Sequence, residues 1–408
     1  MKILLPDSIA DILNTFEKNG FEAYVVGGCV RDSLLGREIH DWDVTTSATT
    51  EEMCRCFAEE RLLATGEKHG TMTLIKDGMP VEITTFRTEG VYSDGRHPDG
   101  VIFSRNLTDD LSRRDFTVNA MAYNPTKGLI DCFGGQKDCQ DGIIRCVGEA
   151  AARFTEDALR ILRAFRFMSK LRTAEGLGFR IEAETVHAAA DCAERIGMLS
   201  AERIREELEG IITAERAGET LALLKETGIL QEIPGLEETA ATGREWACFP
   251  RELPVRMALL FWDLPAEQVK RRMGLLRFKN SDIKSVCGLL ENSRAAIRSD
   301  EDLLMLAGRL EAEGALVLLQ MRSLLGEEEA QSAEKRLHNL LAEGRCFKTG
   351  QLAVSGNDMI QLGLKGREIG CMLDRLLKEV MNGAPNERAA LLKKAERYFL
   401  EFIQKENK

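Results

Sequence analysis

The 408-residue sequence predicts an α+β fold, a mixed α/β segment at the N-terminus followed by a long helical remainder. Three observations lead there. Short apolar runs separated by Gly-Gly, Asp-Gly and similar turn residues crowd the first third of the chain. From about residue 154 the texture changes to Ala-, Leu-, Glu- and Arg-rich stretches whose apolar residues recur at spacings of three and four. Charge divides at nearly the same place: residues 1–150 carry 16 Lys+Arg against 25 Asp+Glu, which leaves a nearly balanced 39 against 41 for residues 151–408.

The elements follow in order. Residues 9–16 have helical apolar spacing, and residues 21–26 form a strand candidate that ends at Gly27-Gly28. A short helix is expected over 30–35 and a second strand over 41–45. β-rich runs at 71–75 and 81–86 flank Asp77-Gly78, a hairpin-turn dipeptide. The segments around Pro234-Gly235, 249–254 and 345–350 read as joints between helical subdomains. A chain of this length implies roughly two to four domains.

Composition sets further limits. A hydrophobic content of 44% with 30% charged residues allows several buried cores and excludes wholesale disorder. No run approaches the length of a membrane span, and Pro6 and Asp7 come too early for a signal peptide. The eleven cysteines are scattered without a C-x-x-C, so reduced thiols in a cytoplasm are expected and no zinc site of familiar spacing is visible. The net charge of −11 argues against indiscriminate nucleic-acid binding.

The densest chemistry lies in Gly27-Gly28-Cys29-Val30-Arg31-Asp32, followed by Asp41-Trp42-Asp43. A glycine pair between strand and helix is either a plain turn or a place where backbone N–H groups approach an anion, with Arg31 adding charge-assisted bonds to a phosphate. If 41–45 is a strand, its period of two puts both carboxylates of Asp41 and Asp43 on one face. Two such carboxylates repel one another unless a cation lies between them, and their hard oxygens suit Mg²⁺. A solvated edge strand is the simpler reading of D-x-D alone, but the combination with Gly-Gly and Arg31 favours a metal site. Glu82 alternates with Val81 and Ile83 and is either a third carboxylate of that site or a structural acid.

A second constellation begins at Thr155-Glu156-Asp157, which reads as a helix opening with a cap and two acids in its first turn. Ala158, Leu159, Ile161, Leu162 and Phe165 form its apolar stripe, and Asp157, Arg160, Arg163 and Arg166 recur at intervals of three on another side. A carboxylate accepts from the amino group of cytosine or adenine, and an arginine donates to ring acceptors; uracil and guanine present a carbonyl instead. The alternative is a surface helix laced by pairs such as Glu156–Arg160.

The stretch GGCVRDSLLGREIHDWDVTTSAT at 27–49 resembles the head motif of bacterial class II tRNA nucleotidyltransferases and poly(A) polymerases. RRDFTVNAMAY at 113–123, DCFGGQKDCQDGIIRCVG at 131–148 and RFTEDALRILRAFRF at 153–167 agree in order and spacing, and SGNDMIQLGLKGREIGCMLDRLL at 355–377 extends the likeness. The resemblance implies a polymerase-β-like nucleotidyltransferase head over 1–150, a helical neck over 151–210 carrying the base-recognition helix, an RNA-binding body over 211–300 and a tRNA-binding tail over 301–408. It further implies Asp41 and Asp43 as ligands of a catalytic Mg²⁺, with Gly28, Arg31 and Arg114 at the triphosphate and Asp157, Arg160, Arg163 and Arg166 at the nucleotide base. The activity implied is template-independent addition of the 3′-terminal CCA to tRNA from CTP and ATP, without a membrane or an obligate protein partner. A poly(A) polymerase and a CC-only enzyme are the nearest alternatives. The Gly- and Asp-rich segment 87–104, read as a mobile loop, resembles that of relatives that add A as well as C, and its rearrangement is the expected switch between the two bases. The basic run Lys270-Arg271-Arg272, with Arg277 and Lys279, is either a solvated face or a contact for RNA phosphates.

Overall fold

A computed structural model describes residues 2–89, 101–237, 239 and 245–406. The chain divides into two compact units, residues 1–247 with 275–277, and residues 248–274 with 278–408.

The first unit opens with α1 (Asp7–Lys18), whose buried Ile9, Ile12, Leu13 and Phe16 follow the expected spacing. Next come β1 (Ala23–Val26), α2 (Gly28–Leu34), β2 (Asp43–Thr46), α3 (Thr50–Cys56), β3 (Arg61–Gly66), β4 (Thr71–Lys76) and β5 (Met79–Thr85). They are followed by β6 (Arg87–Glu89), β7 (Val101–Phe103), α4 (Leu107–Ser112), β8 (Met121–Asn124), β9 (Gly128–Asp131) and α5 (Gly135–Asp141). β10 (Ile143–Ile144), α6 (Ala150–Glu156), α7 (Leu159–Lys170), β11 (Arg180–Ile181), α8 (Ala183–Asp191), α9 (Ala201–Ile212) and α10 (Ala217–Glu226) complete the unit. The second unit is helical, with α11 (Leu253–Leu260), α12 (Ala266–Leu275, whose last residue falls in the first unit), α13 (Asn280–Glu291), α14 (Asp300–Leu324), α15 (Glu328–Ala342), α16 (Gly356–Gln361), α17 (Arg367–Met381) and α18 (Arg388–Glu406). The predicted mixed head and helical remainder are both present.

Seven strands form one mixed sheet in the order β3-β4-β5-β2-β1-β8-β9, in which only β2 and β5 run parallel. The β4–β5 hairpin turns at Asp77-Gly78 with φ of 52° and 80°, the left-handed pair that this dipeptide supplies. Tyr24, Val26, Phe86, Leu107, Leu111 and Ala122 close a buried cluster between the sheet and α4.

Three expectations change. β2 begins at Asp43 rather than at residue 41, because the register sets Val25 opposite Val44 and β1 ends at Val26, before the Gly27 turn. The period-two argument therefore does not place Asp41. The helix expected to open at Thr155 is two helices: Asp157 is extended at φ −143° and ψ 104°, so Thr155 and Glu156 close α6 while α7 starts afresh at Leu159. The flanks of 87–104, read as loop, pair as the antiparallel β6–β7 ribbon; its centre, 90–100, lies outside the described residues. β3 was not foreseen, since its Arg-Leu-Leu-Ala-Thr-Gly run is a largely exposed edge strand with little alternation.

Close packing at Gly135 admits a direct test. A Cβ there would fall 2.2 Å from the Thr117 carbonyl oxygen and 2.9 Å from Met121 Cγ, and the backbone group cannot step aside. Gly135→Ala should lose about 1–3 kcal/mol or more in urea unfolding. Gly274→Ala, on an exposed helical position with open space around it, should be neutral or gain up to about 1 kcal/mol.

Candidate active site

The turn after β1 organises the site. Gly27 has φ 81° and ψ −127°, a conformation strained for any residue with a Cβ, and it feeds the chain into α2. A Cβ on Gly27 would lie 3.0 Å from Arg114 Nη1, and one on Gly28 3.7 Å from Arg31 Nη2. Two guanidinium groups from different parts of the chain thus flank the glycine pair.

Each arginine is held from behind. Arg31, 8% exposed, donates from Nη1 to Asn119 Oδ1 at 2.6 Å and from Nε and Nη2 to Asp32 at 3.0 and 2.9 Å. Asn119 Nδ2 donates to Asp115 Oδ1 at 3.1 Å, and Arg163 Nε on α7 donates to Asp115 Oδ2 at 2.8 Å. Burial alone would raise the Asp115 carboxyl, but Arg163, Asn119 and Arg160 outweigh it and hold the group at about 2. A continuous run of charged and polar contacts therefore joins Arg31 to α7. Arg31, Arg163 and Arg166 also stand over the Phe167 ring at 5.2, 5.4 and 4.7 Å.

The acids gather within electrostatic reach of Arg114 at Asp43. Asp43 on β2 and Glu82 on β5 are register partners in the parallel pair, and both face outward between buried neighbours. Desolvation raises the Asp43 carboxyl, Arg114 opposes that rise, and Glu82 and Asp41 add to it. Asp41, although outside the strand, thus shares the electrostatic neighbourhood of Asp43. Hard oxygens crowded until one resists ionisation are a donor set that a divalent cation relieves. Among the described residues no group of three His, Cys, Asp or Glu forms a ready-made cage. The acids suit an open site whose remaining ligands come from water and phosphate.

The other predicted residues are placed as follows. Asp157 Oδ1 accepts the Leu159 N–H at 3.0 Å, and Oδ2 accepts from Arg203 on α9 at 2.7 Å. Arg160 donates to Glu156 at 2.6 Å and to the Arg113 carbonyl at 3.1 Å, so the Glu156–Arg160 pair of the simpler reading is present. Arg166 is paired with Glu207. Lys270 and Arg271 are exposed on α12 and Arg272 is half-buried in the second unit, while Arg277 belongs to the first unit and is paired with Glu202. Residues that sequence reasoning missed are Asp110, Asp115, Asn119, Arg203 and Glu207. Asp115 and Asn119 stood inside the RRDFTVNAMAY motif, and Asp110 lies one turn before Arg114; nothing local marked Arg203 or Glu207.

Residues 23–145 match the family model described as the Poly A polymerase head domain, and residues 178–239 match one described as a probable RNA and SrmB-binding site of polymerase A. The class is that of a metal-dependent nucleotidyltransferase. Over most of its length the chain is similar to CCA-adding enzymes: it is 36% identical to that of Lactobacillus delbrueckii subsp. bulgaricus over 93% of this chain and 95% of the relative. It is likewise 36% identical to that of Geobacillus thermodenitrificans, covering 91% and 92% of the two chains. The crystal structure of the Bacillus stearothermophilus CCA-adding enzyme in complex with CTP superposes with a TM-score of 0.82 at 30% identity, covering 99% of this chain and all of the other. The chain belongs to the CCA-adding enzyme family.

Because Asp115 is lowered from 3.8 to about 2, its pairing stabilises the fold above the unfolded pKa and is lost as pH falls through the folded one. Asp115→Asn should therefore cost about 2 kcal/mol near neutral pH, with the gap to the parent narrowing between about pH 4 and 2. Urea unfolding of both proteins across that range checks this; a gap independent of pH would exclude ion pairing as its source.

Proposed function

We propose that this chain adds and repairs the 3′-terminal CCA of tRNA, taking CTP and ATP without a nucleic-acid template. The observation that carries the reading is the position of Arg114, against the Gly27 turn on one side and within electrostatic reach of Asp43 on the other. A triphosphate binds where cationic groups and a bound cation meet, and the Gly27-Gly28 backbone lets it come close. Arg31 and Arg114 bind and orient its oxygens beside the Gly28 backbone.

Asp41 and Asp43 are the ligands of the metal, which we take to be Mg²⁺, with Glu82 a neighbour able to join them. When bound there, the cation supplies Lewis-acid activation of the terminal ribose hydroxyl and charge neutralisation at the departing pyrophosphate. Asp157 accepts a hydrogen bond from the exocyclic amino group of cytosine or adenine, and Arg160 donates to the ring. Arg163 and Arg166, paired with Asp115 and Glu207, complete the nucleotide-binding set with Asp157 and Arg160. In this reading residues 1–150 are the catalytic head, 151–210 the base-reading neck, 211–300 an RNA-binding body and 301–408 a tRNA-binding tail, with Lys270, Arg271 and Arg272 as RNA-phosphate contacts. Segment 87–104 takes part in the change from C to A. Cysteines without a disulfide among the described residues support a cytoplasmic enzyme, and among the described residues no helix is long and apolar enough to cross a membrane.

Incubation with tRNAs ending before, within and after CCA, supplied with CTP, ATP or both, tests the activity by product length. Addition of CC and then A is expected. Long A tails on many RNA ends would instead identify a poly(A) polymerase, and arrest after CC a CC-adding enzyme. Asp41→Ala and Asp43→Ala should each cut incorporation at least about 10²- to 10³-fold while tRNA affinity persists; substantial residual turnover would remove them from the metal site. Asp157→Ala should let UTP or GTP compete, with discrimination falling about ten- to a hundred-fold. Unchanged selectivity would end its base-reading role.

A further inference from the structure

The described side chains include one carboxylate that is wholly enclosed, reaches Arg114 and has no part in the mechanism above. Asp110, on α4, is 0% exposed. Its Oδ1 accepts from Arg113 Nε and Nη2 at 3.0 and 2.7 Å. Its Oδ2 accepts from Arg114 Nη2 at 3.2 Å and from the hydroxyl of Thr45, on β2, at 3.2 Å. Burial pushes the Asp110 carboxyl up, and Arg114 and Arg113 outweigh that to hold it below the usual value. It is therefore an anion at neutral pH.

We propose that Asp110 is a positioning residue that aims Arg114 at the substrate's triphosphate. Arg114 follows the last turn of α4 and has a long, flexible stem. With Nη2 fixed on Asp110, Nη1 comes against the Gly27 turn, while Nε is buried without a hydrogen-bond partner. Nη1, set against the Gly27 turn, is placed to donate to an anion that approaches the turn backbone. The bond from Thr45 ties the same carboxylate to β2, two residues beyond Asp43, so the phosphate donor and that acid are set from one strand. Arg113 occupies the other oxygen, leaving Asp110 little freedom to turn away.

The proposal rests on the reading of Arg114 as a triphosphate ligand, and the experiment separates the two. In the full-length protein, Asp110→Asn, Arg114→Ala and the double variant are compared by KM for CTP and ATP, and by the inhibition constant of inorganic tripolyphosphate. Asp110→Asn should raise all three about ten- to a hundred-fold. The choice of CTP and ATP over UTP should remain, and kcat should change far less. In the Arg114→Ala background it should add little, a non-additivity that general loosening of the fold would not produce. Full additivity, or an Asp110→Asn protein with parental tripolyphosphate inhibition, overturns the positioning role. Should Arg114→Ala itself leave tripolyphosphate inhibition unchanged, the triphosphate reading falls first. If Asp110→Asn does not fold, Thr45→Val removes one donor to Oδ2 and should shift the same constants in the same direction by a smaller factor; no shift overturns the proposal.

Discussion

Buried guanidinium–carboxylate pairing is the constraint on which the site depends. A charge taken out of water must meet an opposite charge or a dense set of dipoles, and removing either partner strands the other. Asp115 meets that demand by accepting from Arg163 and Asn119, and Asn119 meets it for Arg31. The strand-turn-helix at Gly27 and α7 are consequently not free to take up independent positions within the first unit. Packing reinforces the tie: the Phe167 ring carries three arginines on its surroundings and meets Phe116 edge-on at 5.7 Å.

The same region keeps charges it does not neutralise. Glu82 and Asp41 raise the cost of ionising Asp43, and Arg114 buries an N–H without an acceptor. Folding alone gains nothing from either arrangement. In the proposed reading a divalent cation offsets the crowded acids and a polyphosphate meets the guanidinium groups at the turn. The acidic balance of residues 1–150 thus has a local meaning. In the proposed reading it belongs in part to a metal site, and a nearly neutral remainder leaves room for specific contacts with RNA.

Legibility of the fold and site in the sequence followed the range of the forces involved. The Asp77-Gly78 hairpin and the Gly27 turn were readable because positive φ selects residue types locally. The α1 core face was readable because helical spacing is a short-range pattern. β3 escaped because an edge strand exposed on both faces has no reason to alternate. The neighbourhood of Asp41 and Asp43 was foreseen for an incomplete reason, since the strand begins only at Asp43. Asp110 and Asp115 sat in plain view beside Arg113 and Arg114, but which acid holds which arginine depends on how α4, α7 and the sheet pack. Arg203 and Glu207 reach α6 and α7 from α9, some forty residues on, where no local rule points to them.

If Asp157 reads the base as proposed, the break there gives a failed local expectation functional meaning. Inside a continuous helix the side chain of Asp157 would sample several rotamers from an exposed face. At the junction of α6 and α7 one oxygen is occupied by the Leu159 N–H and the other by Arg203. A carboxylate restrained at both oxygens still has lone pairs to offer but few directions in which to offer them. Selection between an amino group and a carbonyl requires that restraint: a freely turning acceptor could swing into water and leave no unpaired group behind, whereas a fixed one enforces the full cost of mismatch. The extended backbone at φ −143° supplies this fixity, at the expense of one uninterrupted helix.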